Sequence, residues 1–230
     1  MRILALIPAR AGSKRLPGKN IKLLGGKPLI VWSIDLAKKI SEICDVLIST
    51  DSEEIALTAK NFGGYVPWLR PDHLSTDTSS SVDMAIHALD WYQTEHGKVD
   101  GLLLLQPTSP FRSLAMMGQG IKLFETKRNP VVAVSKTHNH PNWTFRIENQ
   151  NLIPFLDVNG LNQRSQDLES AFVVNGSFYL TSPADLISNQ SFFGSVTTPL
   201  IIDNELECVD IDTLIDFQFA EFLISKHYIK

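Results

Sequence analysis

An α/β domain built on a mainly parallel sheet is what this sequence predicts, on three observations. Short apolar runs alternate with segments of helical period along most of the chain. Those runs are continuously apolar, as strands buried on both faces require. The length of 230 residues suits one such domain carrying a small lobe, so a single domain over 1–230 is expected.

The elements follow in order. Ile3–Ile7 is the first buried strand and stops at Pro8. Pro28–Lys39 starts with a proline tolerated in a first helical turn and carries Leu29, Ile30, Ile34 and Ala37 as an apolar stripe. Val46–Ser49 is the next strand, and Asp51 to Glu54 has the form of a capping box opening a helix to about Phe62. A further helix starts near Ser79 and runs to about Tyr92, with Val82, Ala85, Ile86 and Leu89 facing the core. Leu102–Leu105 and Val131–Val134 are strands. From about 137 to 178 the chain is rich in His, Asn, Pro and aromatics without a long helical period, which predicts an inserted lobe of short strands and loops. The parallel pattern returns with Ser177–Thr181 and Val196–Ile201, and Thr213–Lys226 closes the chain as a helix.

With 43% hydrophobic and 20% charged residues the chain is neither disordered nor fibrous. A formal net charge of −4 argues against nucleic-acid binding, so any phosphate site must be local. The N-terminal apolar run is too short for a signal segment and no later run approaches a membrane span, which predicts a cytoplasmic protein. Cys44 and Cys208, the only cysteines, make no disulfide framework or zinc spacing.

The chemistry is concentrated after the first strand. Pro8-Ala9-Arg10-Ala11-Gly12-Ser13-Lys14-Arg15-Leu16-Pro17-Gly18-Lys19-Asn20 puts four cations and two glycines in one loop. That loop sits at a strand's carboxyl end, where open α/β sheets place ligands. Glycine permits close backbone approach to phosphate and the cations offset its charge. The plainer alternative is a solvated basic turn. A P-loop fits badly, because five residues separate Gly12 from Gly18 and Asn20 stands where a magnesium-binding hydroxyl is needed. Further along, Asp210 and Asp212 alternate on a predicted strand end, so both carboxylates point to one face and suit magnesium. Alternatively Asp212 caps the terminal helix, and Asp35, Asp83 and Asp216 are ordinary exposed helix charges. His138 and His140 suggest a metal only weakly and fit a loop better.

The run Pro8–Asn20 resembles the signature loop of the acylneuraminate cytidylyltransferases, which make CMP-sialic acids and the related CMP-legionaminate and CMP-pseudaminate. The resemblance continues through Ser49-Thr50-Asp51, Arg70-Pro71, Asp77-Thr78-Ser79-Ser80-Ser81, Gln106-Pro107-Thr108-Ser109-Pro110-Phe111-Arg112, Asn175-Gly176-Ser177-Phe178-Tyr179 and Asp210-Ile211-Asp212, in order across nearly the whole chain. It implies a Rossmann-like fold whose inserted lobe serves dimerisation and sugar binding, in a homodimer. It implies the partners CTP and an acidic nine-carbon sugar, and Mg2+ on Asp210 and Asp212. Arg10, Ser13, Lys19 and Asn20 would meet the triphosphate, with Arg10 and Lys19 catalytic alongside the two aspartates. Arg70 and Ser81 would contact cytosine, although Ser79–Ser81 would equally serve as a helix cap and Asn20 as a support for the loop backbone. Gln106, Arg164, Asn175, Phe178 and Tyr179 would contact the sugar, Arg164 by gripping its carboxylate. The alternatives are a CMP-pseudaminate or CMP-Kdo synthetase and a non-catalytic nucleotide-binding protein. Where bacterial sialate-type members carry Arg-Pro before Asn-Gly, this chain has Val173-Val174. With Phe172 and Phe178 these would make an apolar pocket favouring a methyl-terminated sugar such as legionaminic acid, unless Val173 faces the core.

Overall fold

The computed structural model describes residues 1–137, 139–156, 161, 164 and 167–229. A six-stranded sheet runs through the molecule. Its strands are β1 (Ile3–Pro8), β4 (Ile43–Ser49), β5 (Gly101–Leu104), β6 (Val131–Lys136), β9 (Phe172–Thr181) and β10 (Thr198–Ile201). Two small ladders stand apart: β2 (Leu23–Leu24) with β3 (Lys27–Pro28), and β7 (Phe145–Glu148) with β8 (Asn151–Pro154). The helices are α1 (Leu29–Ala37), α2 (Glu53–Asn61), α3 (Ser81–His96), α4 (Leu114–Lys127), α5 (Pro183–Asn189) and α6 (Leu214–Ser225).

Strand order in the large sheet is β10-β6-β9-β5-β1-β4. The chain passes from β1 outward to β4 and then returns across β1 to β5, so the loops after β1 and β5 diverge. Such a switch point opens a crevice at the carboxyl edge of the strands. The sheet is parallel except for β9, which runs antiparallel to both β5 and β6. That corrects the expectation that the parallel pattern resumes at Ser177–Thr181, and it matters for the site. Reversal brings the start of β9 to the same edge as the ends of β5 and β6, with Ser135 opposite Val173. Register shifts between Val132 and Val134, so Ala133 alone stands opposite residues 175–178 and β9 bulges there.

The core lies on both faces of the sheet. Ile3, Ala5 and Ile7 of β1 pack with Ile30 and Ile34 of α1 on one face, while Leu4 and Leu6 meet Met84, Ala85 and Leu89 of α3 on the other. Each such side chain is worth about 1.5–3 kcal/mol when fully buried. The helix starts correct three expectations. Pro28 is the residue before α1. Ser52, not Asp51, caps α2 by accepting from the Ile55 N–H. Thr213 caps α6 in a capping box with Asp216, a cap worth about 1 kcal/mol. Asp216 is therefore not an idle surface charge, and Asp212 is not the cap.

The inserted segment holds the β7–β8 hairpin, whose Ile147 and Leu152 are exposed. It ends earlier than expected, because β9 rejoins the large sheet from Phe172. His138 lies outside the described residues. His140 serves the loop: its Nδ1 accepts from the Asn142 N–H and its Nε2 lies 3.0 Å from the Glu169 carbonyl oxygen.

Candidate active site

Two chambers open at the carboxyl edge of the sheet. The larger, of about 610 Å3, lies over the loop after β1 and is lined by Arg10, Ser13, Lys19, Asn20, Arg70 and Ser81 among others. The smaller, of about 350 Å3, lies over the ends of β6 and β9 and includes Val173, Val174, Asn175, Tyr179 and Cys208. Gln106 and Asp210 line both, so the two chambers meet at these residues.

Two ties hold the basic loop in place. The Ala11 N–H donates to Asp51 Oδ1 at 2.8 Å, and Asn20 Nδ2 donates to the Arg10 carbonyl oxygen at 3.0 Å. Asp51 thus braces the loop from the end of β4, and Asn20 supports its backbone. Gly18 takes a left-handed conformation (φ 67°) that starts the turn carrying Lys19.

Each wall of the larger chamber pairs cations with one carboxylate. Arg10 Nη1 is 3.0 Å from Asp77 Oδ1, and Lys14 binds the other Asp77 oxygen. Lys14, helped by Arg10, holds the Asp77 carboxyl below the usual carboxylate range. Opposite, Lys19 Nζ lies 3.0 Å from Asp212 Oδ1 and Arg15 Nη2 lies 2.9 Å from Asp212 Oδ2. Lys19 also donates to the Ile211 carbonyl oxygen. Sequence reasoning passed over Asp77 and Arg15 as participants, although Asp77 stands in a quoted motif and Arg15 in the loop itself.

Arg70 is buried, with Nε on Ser49 Oγ at 2.9 Å and Nη2 on the Ser49 carbonyl oxygen at 2.5 Å. Burial pulls it down to about 10, Asp51 opposes that and Arg10 adds to it, so it stays charged at neutral pH. All three serines line the chamber, but two of them are also tied to the backbone: Ser79 holds its own loop through Thr76 and the His73 carbonyl, and Ser80 caps α3.

Asp210 and Asp212 do not lie on a strand. Their segment has no regular secondary structure and is bound to the turn after β5 through the Ile211 N–H to the Thr108 carbonyl oxygen at 2.8 Å. Ile211 is buried, while both aspartates line the larger chamber, so the expected alternation of faces survives without the strand. Asp210 opens onto the chamber water, yet the protein packed behind it raises its carboxyl above the ordinary value. The Asp212 charge adds to this, and a Thr108 hydrogen bond and Lys19 oppose it. Among the described residues no group of three or more His, Cys, Asp or Glu side chains converges on a metal position.

In the smaller chamber Asn175 spends its side-chain oxygen on its own turn, accepting from Ser177 N and Oγ. Gly176 (φ +73°) lies so close to Gln106 that a Cβ there would be 2.7 Å from Gln106 Oε1. Tyr179 packs against Phe192 and Phe193, and burial followed by the Asp210 charge pushes its hydroxyl pKa up. Two expected sugar contacts are not in this chamber. Phe178 is fully buried on the other face of β9, and its ring fills the space left by Gly120 of α4. Arg164 is exposed and lines neither chamber. Val173 does not face the core; it is 52% exposed and forms part of the chamber wall.

Residues 4–111 match the family model described as "Cytidylyltransferase". The chain is 41% identical to the CMP-N,N'-diacetyllegionaminic acid synthase of Legionella pneumophila, covering 98% of this chain and 97% of that protein. It is 33% identical to the N-acylneuraminate cytidylyltransferase of Escherichia coli over 98% of this chain, which spans only 52% of that longer enzyme. Among solved structures, a CMP:2-keto-3-deoxy-manno-octonic acid synthetase complexed with CTP superposes with a TM-score of 0.71 at 16% identity, over 98% of this chain and 99% of that one. That last likeness carries the fold alone. Among the described residues no helix is long and apolar enough to cross a membrane.

Proposed function

The chain belongs to the acylneuraminate cytidylyltransferase family, and we propose that its own reaction joins CTP to a nine-carbon acidic sugar of the legionaminic acid type. It is a nucleotidyltransferase of the class that turns CTP and a nonulosonic acid into a CMP-sugar and pyrophosphate. The observation that carries the residue-level reading is the meeting, at Gln106 and Asp210, of a cation-walled chamber with one that combines polar groups and a patch of valines.

In this reading Arg10, Ser13 and Lys19 hold the triphosphate, and Arg70 and Ser81 face the cytosine. Gln106 and Tyr179 orient the sugar so that its anomeric hydroxyl approaches the α-phosphate in line. An oxygen–phosphorus bond forms there as the α–β phosphoanhydride breaks and pyrophosphate leaves, and the proton of the attacking hydroxyl passes to solvent. Arg10 and Lys19 stabilise the charge that builds on the phosphoryl oxygens, as fixed donors already in place where that charge develops. Asp210 and Asp212 would hold magnesium, and the donor set fits: two carboxylates, one of them raised by burial beside the other, form a repulsion that a hard divalent cation relieves. When bound, that ion supplies charge neutralisation to the phosphates.

The choice of legionaminic acid is supported by Val173 and Val174 on the chamber wall and by the name of the 41%-identical relative. A homodimer is supported by the hairpin, whose exposed Phe145, Ile147 and Leu152 a second copy would cover. Arg164 would then act in the partner's chamber. The test incubates the protein with CTP, magnesium and a panel of legionaminic, sialic, pseudaminic and Kdo acids, with pyrophosphate release measured. Release is expected only with CTP and a nonulosonic acid together. Equal turnover with ATP, or release without sugar, overturns the reading.

A further inference from the structure

Arg112 is a buried cation that the reaction as described does not use. It is 6% exposed and lines neither chamber. Its guanidinium donates in three directions: Nε to the Ser177 carbonyl oxygen at 2.5 Å, Nη2 to the Gln106 carbonyl oxygen at 2.5 Å, and Nη1 to Ser33 Oγ at 3.0 Å. All three partners are neutral. The opposing charge that acts on it is that of Asp210, and burial lowers it to about 9, still protonated at neutral pH. A buried charge without a direct ion pair is costly and persists only where fixed hydrogen bonds satisfy it.

Two of those bonds join segments far apart in the chain. Gln106 follows β5, and Ser177 lies in the bulge of β9. The same segments interlock above the guanidinium, where Gly176 leaves no room for a Cβ beside Gln106 Oε1. The nucleotide loop is braced separately, by Asp51 and Asn20. We propose that Arg112 is a positioning residue for the acceptor: its planar fork locks the Gln106 strand end to the Asn175–Ser177 turn and so sets the geometry in which the sugar is held. This rests on the smaller chamber being the sugar chamber. A lysine would keep the charge but could not span both carbonyls, because its single ammonium lacks the fork.

The experiment compares Arg112→Lys with wild type in three measurements: KM for the sugar, Kd for CTP by calorimetry, and thermal melting. The expected result is a sugar KM raised by roughly ten- to a hundredfold, the scale of a misplaced contact, with CTP affinity unchanged within about twofold. Equal loss of both, or a lowered melting temperature with an unchanged sugar KM, reduces Arg112 to a packing residue and overturns the proposal. If Arg112→Lys does not fold, Ser33→Ala removes one acceptor of the fork from outside both chambers. The same split at smaller size then supports the proposal, and an unchanged sugar KM overturns it. Wild type that turns over no nonulosonic acid defeats the functional reading and this proposal together. Active wild type without the split defeats this proposal alone.

Discussion

The two chambers are built in opposite ways. The larger chamber takes all its cations but Arg70 from one stretch of eleven positions, Arg10 to Asn20, and pairs each wall with a carboxylate, Asp77 or Asp212. The acceptor chamber has no such stretch. It is assembled from the ends of three strands and from the segment around Cys208, and it sets two valines and a tyrosine beside Gln106, Ser135, Asn175 and Asp210. Charge for phosphate can be supplied largely by one contiguous loop, because a point charge acts without strict orientation. A sugar is recognised by direction and shape, which only distant segments held rigidly can provide. Variants in the first region should therefore change nucleotide use and turnover, and variants in the second should change which sugar is taken.

The largest expected effect is at Asp212. Asp212→Ala removes the anchor of Lys19 and Arg15 and, in the proposed reading, a magnesium ligand, so turnover should fall by at least about a hundredfold, as for loss of one transition-state electrostatic partner. Steady-state kinetics at saturating magnesium checks this. A folded variant with near-normal turnover would leave Asp212 a scaffold for the two cations. Lys19→Ala should raise the CTP requirement more than the sugar requirement. A uniform change in both would erase the contrast between chambers.

This contrast also governs what could be seen in the sequence. The strands β1, β4, β5 and β6 and the helices α1, α2, α3 and α6 were legible because apolar runs and 3.6-residue stripes report burial directly. α4 was missed: its interior Gly118 and Gly120 break the propensity signal, and Gly120 is there to admit the Phe178 ring. The direction of β9 was illegible, since alternation reports faces and not polarity. Phe178 was misassigned for a related reason. Its neighbours Gly176 and Tyr179 face the cleft, but the bulge determines which side of the sheet it takes. The basic loop, in contrast, was legible almost residue by residue, because its parts are contiguous.

Sugar preference is the next effect in size. With Val173 and Val174 on the wall, legionaminic acid should be favoured over sialic acid by roughly ten- to a hundredfold in kcat/KM, the range over which an apolar pocket rejects an added hydroxyl. Initial rates with both sugars on one enzyme sample measure it. Val173→Arg should shrink the ratio and leave CTP affinity alone. An unchanged ratio would mean that the sugar's terminal carbon does not reach this wall.

Asp210 belongs to both chambers and should show a conflict between stability and activity. Its carboxyl pKa is raised in the folded protein, so ionisation opposes folding at pH values above that raised pKa. Asp210→Asn should thus melt at a higher temperature than wild type at pH 7 in chelator, while losing turnover. As pH falls through the raised pKa the wild-type carboxyl is neutralised too, and the difference in melting temperature should close. A difference independent of pH, or of opposite sign, would show that the Thr108 hydrogen bond outweighs burial and repulsion.

The smallest effect is expected at Asp77. Its carboxylate sits on Arg10 and Lys14, the cations a phosphate would need. A phosphate arriving at this wall has to displace that resident anion, whereas in the proposed reading Asp212 on the other wall stays in use. Asp77 is half-exposed, so the competition is screened by water and salt and is modest. Asp77→Asn should tighten pyrophosphate binding by roughly two- to fivefold at low ionic strength, by the small size of exposed ion pairs. The gain should fade as salt is added. Because Lys14 and Arg10 hold the Asp77 carboxyl pKa below the usual range, wild type keeps its charge throughout the neutral region, and the gain should not vary with pH there. Calorimetric titration of pyrophosphate at two salt concentrations decides it. Weaker binding by Asp77→Asn would make Asp77 a brace that orients Arg10, in the manner of Asp51, and would remove the difference between the two walls.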